Sequence, residues 1–202
     1  FPWREDRATK YQQIVSEILL QRTKAETVAK YYDTFFSKFP DWNALANASL
    51  EELEEIMKPL GLYRHRARRL YKLGEDIRRR GGKIPGNENE LRDSGFIGLY
   101  VTNAFELFIL RNRKPLLDVN MSRLLKRYFK PGDFIDVRHD KEIQELANDI
   151  IEVRRCKELN WAILDYAALV CKTRNPLCEE CVLNKHCKYY ELSQGDVTEE
   201  PE

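Results

Sequence analysis

The sequence predicts an all-α protein. Three observations lead there. Apolar residues recur at spacings of three and four along most of the chain, sustained two-residue alternation is absent, and the nine glycines and eight prolines fall mostly between the periodic stretches. Tyr11, Ile14, Val15, Ile18 and Leu19 form the first apolar stripe, and a second runs from Ala25 to Phe39. Ser49-Leu50-Glu51-Glu52 is a capping-box pattern that starts a short helix reaching about Lys58, and Gly61 stops it. From Tyr63 to Arg80 a helix is expected with Leu70, Leu73 and Ile77 as its buried face. Its other face is basic, with Arg64, Arg66, Arg68, Arg69, Lys72, Arg78, Arg79 and Arg80. After the Gly81 to Gly86 loop come a short helix from Asn87 to Asp93, the turn Ser94-Gly95-Phe96-Ile97-Gly98 and a long apolar helix from Leu99 to Arg111. Asp118 to Tyr128, Lys141 to Val153 and Leu159 to Val170 complete the expected helices.

Composition narrows the classes. With 202 residues, 33% charged and 43% hydrophobic, the chain can bury one good core or two small ones, which excludes a mainly disordered or low-complexity protein. No apolar run approaches the roughly 20 residues of a membrane span, and the opening Phe1-Pro2-Trp3-Arg4 lacks a signal-peptide layout, so no membrane partner and a cytoplasmic location are expected. The net charge of +1 conceals an asymmetry. Residues 189–202 hold five acidic side chains and no lysine or arginine, and without those five the rest of the chain carries +6. Its basic residues gather at Arg64 to Lys83, Arg111 to Lys114, Arg123 to Lys130 and in the cysteine loop, a distribution that fits a polyanionic partner.

Four of the five cysteines lie within 17 residues, at Cys171, Cys178, Cys181 and Cys187. In an intracellular chain such a group is more often a metal site than a disulfide set. Structural zinc sites usually pair two close-spaced couples around a longer loop, whereas the intervals here are six, two and five residues. Four thiolates from one tight loop suit an iron–sulfur cube better than a single zinc ion, although zinc stays open on spacing alone. Cys156 stands apart as a small buried residue. Lys172, Arg174, Lys185 and Lys188 around the loop fit either a solvated surface or a phosphate-contacting one.

The Cys-x6-Cys-x2-Cys-x5-Cys ending, following an all-helical region with a glycine-bearing turn, resembles the endonuclease III and MutY branch of the helix-hairpin-helix DNA glycosylases. The resemblance spans nearly the whole chain, from Phe1-Pro2-Trp3-Arg4 through Ser16-Glu17-Ile18-Leu19-Leu20-Gln21-Arg22-Thr23 and Gly61-Leu62-Tyr63 to Cys187. Within that branch it is most similar to the archaeal thymine (G·T mismatch) glycosylases, which share the Phe-Pro-Trp-Arg opening, the Glu-Ile-Leu-Leu-x-Arg-Thr helix and the Tyr-Tyr-Glu ending seen at Tyr189 to Glu191. It implies a two-lobed fold, with a helical barrel at 1–112 carrying the hairpin at about 94–99, an iron–sulfur cluster domain at 113–191 and a disordered acidic tail at 192–202. The cofactor would be a [4Fe-4S] cluster on the four clustered cysteines. Family members usually carry a helix ahead of the Phe-Pro-Trp-Arg segment, at which this chain starts.

The resemblance also assigns residues. Tyr100 falls where bifunctional members carry a lysine, the amine that attacks the sugar to form a Schiff base, so it implies base removal without strand cleavage. Read alone, a tyrosine at a helix start is a packing residue. Asp118 follows 18 residues later, the family's interval between its two active-site positions, and would stabilise the positive charge that builds on the sugar or orient the attacking water. It is equally well placed to be an N-cap. Glu17, inside an apolar helix, matches the glutamate near the departing base, against the plainer reading of a solvent-facing residue. Leu62 matches the intercalating leucine that fills the hole left by a flipped nucleotide, or it is a helix-junction core residue. Gln21 and Arg22 match the pair facing the orphaned base, with Arg64 on the adjoining basic helix. The family hairpin, roughly Leu-Pro-Gly-x-Gly, here reads Ser94-Gly95-Phe96-Ile97-Gly98. Only Gly98 is left for close approach of a phosphate to a helix start, and a plain interhelix turn is the other reading.

The expected protein is therefore a monomeric DNA glycosylase acting on double-stranded DNA, with Asp118 and Tyr100 facing each other across a groove. It would flip and hydrolytically remove thymine or uracil opposite guanine. One alternative is an adenine glycosylase of MutY type acting opposite oxidised guanine, though those proteins generally carry a further C-terminal domain for which 202 residues leave no room. Another is a catalytically inactive DNA-binding module, which the eroded hairpin brings into view.

Overall fold

The computed structural model describes residues 1–61, 63–87, 89–90, 98–130, 136 and 139–195, and among them there are helices and no strands. The chain divides into two compact units, Phe1–Asn112 and Arg113–Glu202.

The first unit opens with a 3-10 turn, Pro2–Arg4, that buries Trp3 between the stacked ring of Phe1 and Tyr32, at centroid distances of 4.9 and 6.2 Å. Helix α1, Lys10–Leu20, starts in a capping box of Thr9 with Gln12 and buries Tyr11, Ile14, Val15, Ile18 and Leu19 together with Ser16 and Glu17. Helix α2, Ala25–Lys38, supplies Tyr32, Phe35 and Phe36 to an aromatic cluster that Phe39 extends. Helix α3, Trp42–Asn47, is too short for its periodicity to stand out in the sequence. Its start is set by the Asp41 side chain, which accepts from the Ala44 backbone N–H at 2.8 Å. Helix α4, Leu50–Met57, begins in the capping box expected at Ser49, with both reciprocal hydrogen bonds present. A 3-10 turn, Lys58–Leu60, follows and ends at Gly61, whose φ of +66° suits glycine.

Helix α5, Tyr63–Arg79, buries Leu70, Leu73 and Ile77 completely, each worth roughly 1.5–3 kcal/mol over exposure. Gly74 permits its close packing on α3, since a Cβ there would stand 2.6 Å from the Leu45 carbonyl oxygen. The basic face is smaller than the arginine run implies. Arg66 is buried, and Arg80 is largely buried against Asp76 at 2.8 Å. Helix α6, Leu99–Phe105, continues as a π-helical stretch, Glu106–Leu110, where an unbroken α-helix to Arg111 was expected. Asn103 to Phe108 are all buried, so this segment is enclosed around its whole circumference, and Arg111 closes it in the left-handed conformation at φ +60°. The helix expected over Asn87 to Asp93 and the hairpin residues 94–97 lie largely outside the described residues.

In the second unit, α7, Val119–Phe129, is capped by Asp118, and α8, Lys141–Ile150, by Asp140. Asp140 also pairs with Lys126 at 2.6 Å. Helix α9, Cys156–Leu169, starts three residues before the expected Leu159, while α8 ends short of the expected Val153. The core is Leu117, Met121, Leu124, Leu125, Ile143, Ala147 and Ala167. Fully buried Asn160 ties the incoming chain to α9, accepting from Leu116 N–H at 2.6 Å and donating to the Lys114 carbonyl at 3.1 Å. The cysteine loop leads through a 3-10 turn, Asn184–His186, into α10, Lys188–Gly195, which packs on α7. Residues 192–195, expected in a disordered tail, are thus the end of a helix anchored by its neighbour. Among the described residues no helix is long and apolar enough to cross a membrane.

Candidate active site and cysteine loop

Helix α1 holds Glu17 at 3% exposure, against the expectation for a solvent-facing carboxylate. The first turn of α6 brings Tyr100 to it from 83 residues away, and the phenol donates to Glu17 Oε2 at 2.7 Å. A charge-assisted O–H to carboxylate bond of this length fixes both side chains. Tyr100 is half-buried, and it packs against the first unit's core as well as holding Glu17. Tyr100 and Glu17 are therefore brought together in the first unit, while Asp118 belongs to the second.

Asp118 is both an N-cap and a candidate catalytic group. Its Oδ1 accepts from the Asn120 and Met121 backbone N–H groups, each at 2.8 Å, and its Oδ2 accepts from Asn120 Nδ2 at 2.7 Å. Burial pushes the carboxyl above its ordinary value despite these hydrogen bonds and the charge of Arg123. A desolvated carboxylate at a fixed position gains strongly when a cation forms beside it, which is the electrostatic demand of glycosidic bond cleavage. Asn120 in turn accepts from Arg123 Nη1 at 3.0 Å, and Arg123 donates to the carbonyls of Cys171 at 2.8 Å and Ala167 at 2.7 Å. A continuous hydrogen-bond chain thus links Asp118 to the first cysteine of the loop.

The loop after α1 carries Gln21 and Arg22. The Gln21 side-chain oxygen accepts from Arg69, and Arg22 is exposed with φ +58°, a left-handed conformation unusual for a non-glycine residue. Arg64 is exposed and lies over the Tyr63 ring, 5.7 Å from its centroid. Leu62 lies outside the described residues. Gly98 caps α6 with an ordinary φ of −75°, and among the described residues a Cβ there would meet nothing within 4 Å. Neither the backbone conformation nor contacts with the described residues demand glycine at that position.

None of the five cysteines is in a disulfide. Burial and the charges of Cys171, Cys187 and Cys181 push the Cys178 thiol up, so each of those three lies within electrostatic reach of Cys178. Tyr166 donates its hydroxyl to Cys181 Sγ at 3.2 Å, Arg127 approaches Cys171 Sγ at 3.6 Å, and the Cys187 thiol faces the Arg127 carbonyl at 3.5 Å. Cys156 sits apart against Asn160. Among the described residues no three His, Cys, Asp or Glu side chains converge as a site for a single metal ion. Of the basic residues around the loop, Arg174 and Lys185 are exposed, Lys172 is half-buried and Lys188 pairs with Glu191 at 2.8 Å.

Asn120, Arg123, Arg127 and Tyr166 did not stand out in the sequence. The spacing of the first three on α7, at i, i+3 and i+7 just after Asp118, was a usable signal for one polar face. Arg66 had none, since nothing in a run of arginines tells the buried one from its neighbours.

The chain belongs to the HhH-GPD superfamily of base excision DNA repair proteins, whose sequence pattern matches residues 15–153. Its relatives include the thymine/uracil-DNA glycosylase of Methanothermobacter thermautotrophicus, 33% identical over 95% of this chain and 86% of that protein. The thymine-DNA glycosylase of Aeropyrum pernix is 35% identical over 94% and 86%. Among solved structures, a thermostable thymine-DNA glycosylase superposes with a TM-score of 0.84 at 32% identity, over 95% of this chain and 88% of that one.

Proposed function

We propose that this DNA glycosylase flips a thymine or uracil opposed to guanine out of duplex DNA and removes it by hydrolysis alone, leaving an abasic site. The observation that carries the reading is the Glu17–Tyr100 pair. The hydroxyl at position 100 is committed to a carboxylate, and a phenol cannot form the Schiff base through which a lysine would cleave the strand. Ionised Asp118, held by two backbone N–H groups and Asn120, stabilises the sugar cation and orients the attacking water. Glu17 donates a proton or hydrogen bond to the departing base, with Tyr100 fixing its position. Leu62 fills the vacated space, Gln21 and Arg22 meet the orphaned guanine, and Arg64 and Gly98 approach the phosphates. The protein works as a monomer in the cytoplasm.

The cysteine loop fits a [4Fe-4S] cluster. Four cysteines outside any disulfide stand on one loop, three of them within electrostatic reach of Cys178, and their negative charge on ionising would meet Arg127 and the Tyr166 hydroxyl. Cys171, Cys178, Cys181 and Cys187 would hold it, and its bonds would cross-link the second unit through one loop. The test is a panel of duplexes bearing G·T, G·U, A·G and oxidised-G·A pairs, with half of each reaction treated with alkali. Release from G·T and G·U, with strand breaks only after alkali, is expected. Breaks without alkali refute the hydrolytic assignment, and release of adenine alone favours the MutY-type activity. Brown protein absorbing near about 400 nm supports the cluster, and colourless zinc-containing protein overturns it.

A further inference from the structure

Arg66 is the only arginine buried among the described residues, and its partners are unusual. Nε donates to the Gln21 carbonyl at 3.2 Å, Nη2 to the same carbonyl and to Thr23 Oγ1, and Nη1 to the carbonyls of Leu60 at 2.9 Å and Gly61 at 2.5 Å. Thr23 Oγ1 donates to the Leu60 carbonyl at 3.2 Å and closes the ring. No carboxylate is among these partners. Burial, and the nearby charge of Arg69, hold the guanidinium below its ordinary value. A buried cation without a counter-charge is a poor way to gain stability, because an apolar side chain of similar volume fills such a site at no desolvation cost. What a planar fork of five donors adds is fixed geometry between two loops. Each loop turns through a left-handed residue, Arg22 at φ +58° and Gly61 at φ +66°.

We propose that Arg66 is a positioning residue for nucleotide flipping: it locks the Gln21–Thr23 turn to the Leu60–Gly61 turn, so that the side chains these segments present enter the duplex at one fixed spacing. The proposal rests on the reading above that Gln21, Arg22 and Leu62 act at the flipped-out site. Arg66 itself touches no base, because its donors are committed to the protein.

The test compares wild type with Arg66→Lys, which keeps the charge and loses the fork, and Thr23→Val, which keeps the shape and loses the ring's hydroxyl. Single-turnover uracil release is measured on a G·U duplex and on a duplex with uracil opposite an abasic-site analogue, where no pair has to be opened. Unstacking is followed by the fluorescence of 2-aminopurine beside the target. Both variants are expected to slow release from G·U by about tenfold or more, with a much smaller loss on the unpaired uracil and a weaker fluorescence rise. Equal slowing on the two duplexes, or none, overturns the proposal. A lowered melting temperature in Arg66→Lys alongside Thr23→Val that matches wild type on both duplexes assigns Arg66 to folding alone and also overturns it. If wild type releases uracil from neither duplex, the substrate reading fails. The fluorescence still decides the positioning role, because equal unstacking by wild type and Arg66→Lys excludes it.

Discussion

Each unit holds one of the two candidate carboxylates, Glu17 buried in the first and Asp118 half-buried in the second, and they hold it differently. In the first, Glu17 lies in the middle of an apolar helix and accepts from one phenol that arrives from a distant segment. In the second, Asp118 sits at a helix start and is met by two backbone N–H groups and a neighbouring amide, all within three residues of sequence. A helix N-terminus carries partial positive charge and orphan donors, so it favours an anion and fixes its orientation without help from the rest of the fold. A mid-helix carboxylate has neither, and depends wholly on tertiary packing for its partner. Under the proposed function the same chemical group would serve two tasks: a charge held in place at Asp118, and hydrogen bonding to a departing base at Glu17.

The sharpest break in that comparison is Asp118→Asn. Asparagine keeps the cap but carries no charge, so base release should fall by about 100-fold or more in single-turnover assays while the fold survives. Because burial raises the Asp118 carboxyl above its unfolded value, protonation favours the folded state. The group's contribution to stability is greatest at pH below the unfolded value and is lost as pH rises through the folded one. Asp118→Asn should therefore melt no lower than wild type at neutral pH, whereas Asp118→Ala, which loses the cap, should cost about 1 kcal/mol. The acid limb of the wild-type activity profile should lie above the ordinary carboxylate range, since the ionised form is the working one. A limb at or below that range would contradict the assignment.

Tyr100→Phe probes the other carboxylate. It leaves Glu17 buried with one donor fewer, so it should destabilise the first unit by about 1–3 kcal/mol in denaturant unfolding, with no counterpart in the second unit. A fully neutral effect would show that the phenol is dispensable for holding Glu17.

Two glycines extend the contrast between packing and exposure. Gly74→Ala drives a methyl against the Leu45 carbonyl and should cost about 1–3 kcal/mol, measured by thermal melting. Gly98→Ala meets none of the described residues at an ordinary φ and should leave the melting temperature within error. Weaker duplex binding by a fully folded Gly98→Ala would then report close approach of a phosphate, and unchanged binding would make the position a plain interhelix turn.

Much of the helical scaffold was legible because its causes are local. The Ser49 capping box, the apolar stripe of α1 and the buried face of α5 lie within three or four residues of each cause. The short helix α3 escaped notice because six residues show less than two turns of period, and the π-helical end of α6 because its cause is enclosure on every side. Arg66 cannot be told from its exposed neighbours in the sequence, as composition records charge and not depth.

By itself the sequence determined the helical class, the Ser49 capping box, the grouping of four cysteines in one loop, and Asp118 as a capping carboxylate. Each of these follows from hydrogen bonds or periodicities that close within one turn of chain. The tertiary structure alone decided that Tyr100 would meet Glu17 across 83 residues, and that one guanidinium of the seven from Arg64 to Arg80 would turn inward to join two loops. Such pairings depend on which faces pack, and packing is settled by the burial of the whole unit, where a lone polar group must find a partner once water is gone.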